Sequence, residues 1–309
     1  RNGDYLFKGR VIDFTYNYGT AFTKNVPTVT ITCADDLFLL ANTFLSAFTP
    51  SVELSSARVT TILDKAEVGY PAGTRDIETG SVTLGAYAVA EGTSVTTYLR
   101  AISDDAEGGR IFVSRTGSLT FDKRIGNTLS SPTITFSDIG SDTKYASLFV
   151  DFSTDQVINR ATVERFGGTA QTDTDSASIA LYQTQAVVKT GSFLETDAQA
   201  LAFAEYLLDP NPEPRFSGVE VNFASLTTAQ KNAVALLEIG QTVQITRSFN
   251  SGSPATITQE LAVEGVSHSI DPRQGHRMTI YTSPTTLVFE LLLDDAVYGK
   301  LDSTNVLGA

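Results

Sequence analysis

Two stretches near opposite ends of this chain repeat one pattern, and no other feature constrains the fold as much. Residues 5–14 and 261–270 each place a large apolar residue two before a glycine and another five after it. The positions are Phe7, Gly9 and Phe14 in the first copy and Val263, Gly265 and Ile270 in the second. An apolar strand follows each, at residues 28–32 and 278–282, and a turn-forming tetrapeptide precedes each, Arg1-Asn2-Gly3-Asp4 and Phe249-Asn250-Ser251-Gly252. Asn-Gly between apolar runs is a strong hairpin signal because both residues tolerate positive φ. A strand at residues 241–246 leads into the second turn, whereas the first turn opens the chain. The first copy is therefore expected to lack its incoming strand and the chain to be part of a longer protein. The expectation is two similar β modules.

At 309 residues the chain is long enough for about two to four domains. Its aromatic content is Phe and Tyr with no Trp, and Ser and Thr are abundant, a mix that favours strands. No apolar run reaches the ~20 residues that span a bilayer, and no signal peptide is visible. A single cysteine, Cys33, excludes an internal disulfide framework and points to assembly in a reducing compartment. At the end of an apolar strand it is expected to be a buried, inert thiol. The net charge of −13 argues against free-standing nucleic-acid binding, which draws on clustered Lys and Arg.

Between the repeats the chain alternates helical and extended signals. Ser55 or Ser56 is placed to cap a helix with Val59, Ile62, Leu63 and Ala66 on one face and Gly69 as its stop. A second helix starts near Ser94, carries Val95, Tyr98, Leu99 and Ile102 on one face, and ends at Gly108-Gly109. Residues 109–121 read as a hairpin turning at Thr116-Gly117, and residues 127–144, rich in Ser, Thr, Asp and Gly, as a boundary. Strands are expected at 147–152, 157–166 and 218–223, a polar loop at 173–178 and an extended segment at 179–188. Thr196 with Gln199 and Thr227 with Gln230 fit the capping box and start two more helices. The sum is an α+β chain, mainly β, with four short helices and small barrels or sandwiches.

Chemistry is sparse. No nucleophile elbow, zinc-protease motif, phosphate loop or dinucleotide fingerprint occurs. The two histidines, His268 and His276, lie eight residues apart across an expected turn, but the sequence identifies no carboxylate partners for a metal. His268 reads as a half-buried polar strand residue. The acids Asp35-Asp36, Asp104-Asp105, Asp294-Asp295 and the Asp173/Asp175 loop are expected to be solvated, and Asp173/Asp175 lacks the glycine and distal Glu of a calcium loop. No catalytic, cofactor-binding or metal residue is assigned, and no enzyme activity is expected.

Several segments, in order along the chain, resemble the central hub proteins at the tail tip of long-tailed bacteriophages, the tail-associated minor tail protein family. They are residues 6–11 (Leu-Phe-Lys-Gly-Arg-Val) and the hairpin Arg110-Ile111-Phe112-Val113 with Gly117 and Leu119-Thr120-Phe121. Residues 157–163, Asp175 with Ser178-Ile179, residues 196–200, 239–243 and 263–268, and the tail from Leu293 to Asp302 continue the match. The resemblance implies two similar small β-barrel hub domains with inserted α/β segments. Residues 1–50 would form the first barrel without its N-terminal strand and 51–126 an α/β insertion. Residues 127–288 would form the second barrel region with helical insertions, and 289–309 a C-terminal connecting segment. It further implies a homotrimer in the virion tail tip, assembled in the host bacterial cytoplasm. Its expected partners are distal tail and tail tube proteins, a tape measure protein, and tail fibre or receptor-binding proteins, with DNA passing transiently and no cofactor. Two barrels from three subunits give six positions, which lets a threefold tip meet a sixfold tube. Three copies carry −39 formally, and acids facing the channel would repel exiting DNA within a Debye length of ~8–10 Å. The alternative reading is a β-rich carbohydrate-binding or adhesin module, for which the absence of Trp leaves a poor stacking platform. A cell-wall hydrolase is a third class, for which no residues are found.

Overall fold

Buried side chains gather into two clusters, each formed where amphipathic patterns meet. The computed structural model describes residues 3–19, 26–124, 132–212, 214–251 and 254–284, with 289–290 and 305–306. The first cluster joins the helices α1 (Asp36–Ala41), α2 (Ser55–Leu63) and α3 (Val95–Ile102) to the hairpin of strands Arg110–Val113 and Leu119–Asp122. Val59, Ile62 and Leu63 of α2 pack with Val95, Tyr98, Leu99 and Ile102 of α3, all within 3% of full burial. The 3.6-residue period puts each set on one face. Each such side chain contributes about 1.5–3 kcal/mol on leaving water. Gly108, at φ +71°, ends the helical turn that continues α3, but α2 stops at Leu63 with Asp64 as its cap, so Ala66, expected on its apolar face, is exposed in the turns that lead to Gly69.

The same cluster takes in a three-stranded sheet in the order Gln171–Thr174, Arg160–Arg165, Ala186–Ser192, flanked by α4 (Ser176–Tyr182) and α5 (Asp197–Leu207). Ala161 and Val163 of its middle strand face Ala200, Phe203 and Ala204 of α5. Residues 161–208 thus share a core with residues 37–121, and the buried interior does not follow the order of the chain.

The second cluster is a six-stranded sheet covered on one face by α6 (Thr228–Ala235). Its strand order is Ile134–Ser137, Thr242–Ser248, Thr256–Asp271, Gly275–Pro284, Arg215–Asn222, Ser147–Asp151. The first pair is parallel and the rest antiparallel. Alternation sets its inner face, since Val219, Val221, Val243, Ile245, Met278 and Ile280 are all fully buried. A separate two-stranded ribbon, Arg10–Asn17 against Thr28–Ala34, stands apart from both sheets.

The chain is mainly β with six α-helices among the described residues, two more than the sequence patterns predict. Helix α1 arises because Asp35 accepts a hydrogen bond from Leu37 N–H at 3.0 Å. Helix α4 replaces part of the expected loop at 173–178 and extended run at 179–188, because Asp175 caps it through Ser178 N–H at 2.8 Å. Both capping boxes form as expected, at Thr196/Gln199 and Thr227/Gln230. Neither Ser55 nor Ser56 caps α2. Leu54 occupies the cap position, and the Ser55 hydroxyl is buried against Glu107 instead.

No closed barrel is present among the described residues: the larger sheet is open, and the N-terminal copy of the repeat makes only two strands. Cys33, expected to be buried, is exposed, because none of the described residues lies over the ribbon face that carries it. The tip of the first hairpin loop (20–25), the start of the boundary stretch (125–131), the turn residues Arg1, Asn2 and Gly252, the acids Asp294-Asp295 and most of the 289–309 segment lie outside the described residues.

Candidate assembly surfaces

Both copies of the repeat fold as antiparallel hairpins, and each carries one β-bulge. In the first, Val11 pairs with Cys33, Ile12 is the extra residue, and Asp13 and Phe14 pair with Thr32 and Ile31. In the second, Val263 pairs with Thr282, Glu264 is the extra residue, and Gly265 and Val266 pair with Tyr281 and Ile280. The bulges therefore match Val11–Phe14 to Val263–Val266. In that frame Gly9 lies ahead of its bulge and Gly265 directly after its own. A bulge shifts the alternation by one residue, so the apolar residues on either side of it share a face.

What those faces meet differs. Val263, Met278 and Ile280 are fully buried in the six-stranded sheet. On the ribbon, Val11, Phe14 and Tyr16 share one face with Cys33, Ile31 and Val29, and the opposite face carries Asp13, Thr15, Thr30 and Thr32. Phe14, Tyr16, Val29 and Ile31 are each at least half exposed. Of the repeat positions, Phe7, Phe14 and Ile270 are exposed and only Val263 is buried.

The ribbon's base is anchored to both clusters. Leu6 packs on the second core, Arg115 donates to the Tyr5 carbonyl at 3.1 Å, and the Lys8 stem lies against Gly117. Arg115 N–H also donates to Glu238 at 3.1 Å, so the tip of the 110–122 hairpin bridges the ribbon's base and the larger sheet. Arg110, on the same hairpin, pairs with the bulge residue Glu264. Sequence reasoning missed these links because their partners are far apart in the chain.

The six-stranded sheet has two ends with different fates. At Ile134–Ser137 the chain folds back, with Thr143 N–H donating to Thr135 O and Ser137 N–H to Thr143 O. At the other end, among the described residues, Ser147–Asp151 pairs only with Arg215–Asn222. Phe149 and Val150 on that strand, and Phe152 beyond it, are 42–67% exposed.

The titratable side chains described near these surfaces contact one another and the scaffold. His268 Nδ1 lies 3.0 Å from His276 Nε2, and the His276 ring stacks on Phe223 at 3.8 Å between centroids. Burial pushes the His268 imidazole below its ordinary value. Among the described residues no three His, Cys, Asp or Glu side chains converge as metal ligands. Two fully buried charges are held by structural partners. Arg58 donates to Glu53, the Tyr98 hydroxyl, and the Ser51 and Gly85 carbonyls at 2.6–3.1 Å. Glu107 accepts from Ser55, Ser81 and the Arg124 N–H.

The described acids expected to be solvated mostly have structural tasks as well: Asp35 and Asp175 cap helices, and Asp105 pairs with Lys189 at 2.6 Å. A cleft of about 500 Å³ lies between residues 8–10 and α1. Its Tyr70 hydroxyl donates to Asp36 at 3.1 Å, and burial together with that carboxylate pushes the phenol up to about 12.

No protein-family model and no curated protein matches the sequence. Solved structures do match the fold. A tail protein from Neisseria meningitidis MC58 aligns with a TM-score of 0.62 at 14% identity, covering 92% of this chain and 81% of that one. The 43 kDa tail protein of prophage MuSo2 from Shewanella oneidensis aligns at 0.59 and 15% identity, with the same coverages. Prophage tail protein gp18 from Listeria monocytogenes EGD-e aligns at 0.53 and 12%, again with the same coverages. Over nearly its whole length, the chain has the fold of these phage tail proteins.

Proposed function

We propose that this chain is a structural subunit of a bacteriophage tail, forming as a homotrimer a hub ring at the distal end that links a sixfold tail tube to a threefold tip and lets DNA through. The observation that carries this reading is the ribbon of Arg10–Asn17 and Thr28–Ala34, whose apolar face no other described residue covers, in a chain with the fold of tail proteins. Monomers seldom leave such a face in water, and an assembling subunit has a use for it. The buried charges support a structural role, since their partners are all parts of the scaffold.

The ring would contact distal tail and tube proteins, a tape measure protein, and fibre or receptor-binding proteins at the virion tail tip. Its two bulged hairpins would be the paired modules that reconcile threefold with sixfold symmetry, and part of its negative charge would line the channel. Measuring the mass of the purified chain in solution, followed by imaging of the particle, tests this. Three copies in a ring with a negative bore are expected. A monomer, or a ring with its acids on the outer wall and a positive bore, would overturn the reading or its channel part respectively.

A further inference from the structure

Among the described residues the ribbon and the open sheet edge are unpartnered surfaces on one molecule, and the second hairpin shows what a ribbon of this kind requires. There, the same bulge geometry sits inside a sheet. Thr242–Ser248 pairs along one side, Arg215–Asn222 along the other, and a core lies beneath. Matching the two bulges places residues 28–32 of the ribbon where residues 277–281 stand in the sheet. Residues 277–281 carry an antiparallel neighbour on their outer side, with Val219 opposite Ile280 and Val221 opposite Met278. Among the described residues, 28–32 pair only with the other ribbon strand. Two strands alone are marginal in water, whereas three with an apolar face are stable.

We propose that this place is filled by the Ser147–Asp151 strand of a second copy, which adds antiparallel to the free side of Thr28–Ala34. Three observations select it. Among the described residues it is the end of the large sheet that stays open, the opposite end being closed by the fold-back at Thr143. Its Val150, half exposed, and Phe152 just beyond it are apolar, and Val150 matches the ribbon's uncovered face. Val150 lies opposite buried Phe216, so its side chain points to the core side of the sheet. Joining the strands would extend the apolar face of the ribbon into the neighbour's core. The contact is heterologous, ribbon to edge, so each copy gives one surface and receives the other, and a rotation that closes produces a ring. This inference rests on the proposed homotrimer and names the surfaces that would build it.

The native thiol of Cys33 sits on the ribbon's apolar face and provides the test. The chain with Val150→Cys is treated with a short bis-maleimide and run on a denaturing gel, beside the unaltered chain and a Cys33→Ser/Val150→Cys control. Covalent ladders between copies are expected only where both thiols are present. A cross-link within one chain, or none in a protein whose solution mass is three copies, overturns the pairing while leaving the trimer standing. A protein that stays monomeric overturns both. As a second measurement, Ile31→Ser and Val150→Ser should each raise the concentration for half-association by about tenfold or more. Both residues are exposed in the isolated chain, so the circular dichroism spectrum should stay unchanged. Unchanged association would count against the proposal.

Discussion

Arg110 grips the carboxylate of Glu264 with two hydrogen bonds, Nε to Oε2 at 3.0 Å and Nη2 to Oε1 at 2.6 Å, across 154 positions of sequence. Glu264 is the extra residue of the second hairpin's bulge, so an irregularity in one sheet supplies the ligand for a hairpin of the other unit. Burial would raise the Glu264 carboxyl, but its bonds to Arg110 and to the Ser283 hydroxyl outweigh that and leave it below its ordinary value of 4.5. A depressed folded-state value stabilises the fold above the unfolded pKa, and the contribution is lost as pH falls through the folded one. Stability should therefore drop in acid below about pH 4.5, and Glu264→Gln should flatten that part of the profile. Because Glu264 is a third exposed, a double-mutant cycle with Arg110→Ala should give a coupling of only about 1 kcal/mol.

Arg58 offers a harsher test of buried charge. Its side chain is fully buried on four acceptors, so Arg58→Ala leaves Glu53 and two carbonyls short of partners inside the first core. Urea unfolding should show a loss of about 3–5 kcal/mol. Arg58→Met, which fills the volume but also removes the charge, should restore little of it, because Glu53 loses its cationic partner. Adding Glu53→Gln to Arg58→Met should recover more.

The two glycines that define the sequence repeat should respond differently to substitution. A methyl group on Gly9 would strike the Ala34 carbonyl oxygen and the Phe7 ring, and the carbonyl is backbone that cannot swing aside. Gly9→Ala should therefore distort the ribbon at a cost of about 1–3 kcal/mol. On Gly265 the nearest atom to that methyl group would be Tyr281 Cδ2 at 3.6 Å, an ordinary contact. Gly265→Ala should be neutral or stabilising by up to about 1 kcal/mol. Thermal melts of the two variants settle the comparison.

Mild acid should also act through His268. Its imidazole is lowered from the ordinary 6.5 by burial, so the folded state binds its proton less readily than the unfolded chain. This contribution is present above about pH 6.5 and is lost as pH falls through the folded value. The melting temperature should decline over that window, and His268→Gln should remove this component. An unchanged slope in the variant would show that the histidine pair does not sense acid.

Much of the local structure was legible in the chain. The faces of α2 and α3, both capping boxes and the turn at Gly117 follow from 3.6-residue spacing, paired Thr and Gln, and a glycine at φ +84°. Helix α4 was less legible, because a run of Ser and Ala around Ile179 and Leu181 carries little periodicity; the cap at Asp175 was its one signal. The exposure of Cys33 could not be read at all. An apolar strand has the same sequence whether its face is buried by its own chain or left for another.

The sequence by itself determined that a hairpin pattern occurs twice, since alternation and turn residues act over a few positions. Tertiary structure alone decided the frame in which the hairpins correspond, because bulges depend on how two strands pair. It also decided which copy would find neighbours. The second lies between Thr242–Ser248 and Arg215–Asn222, while the first has none among the described residues, so the same local signal yields a buried sheet in one place and an open surface in the other.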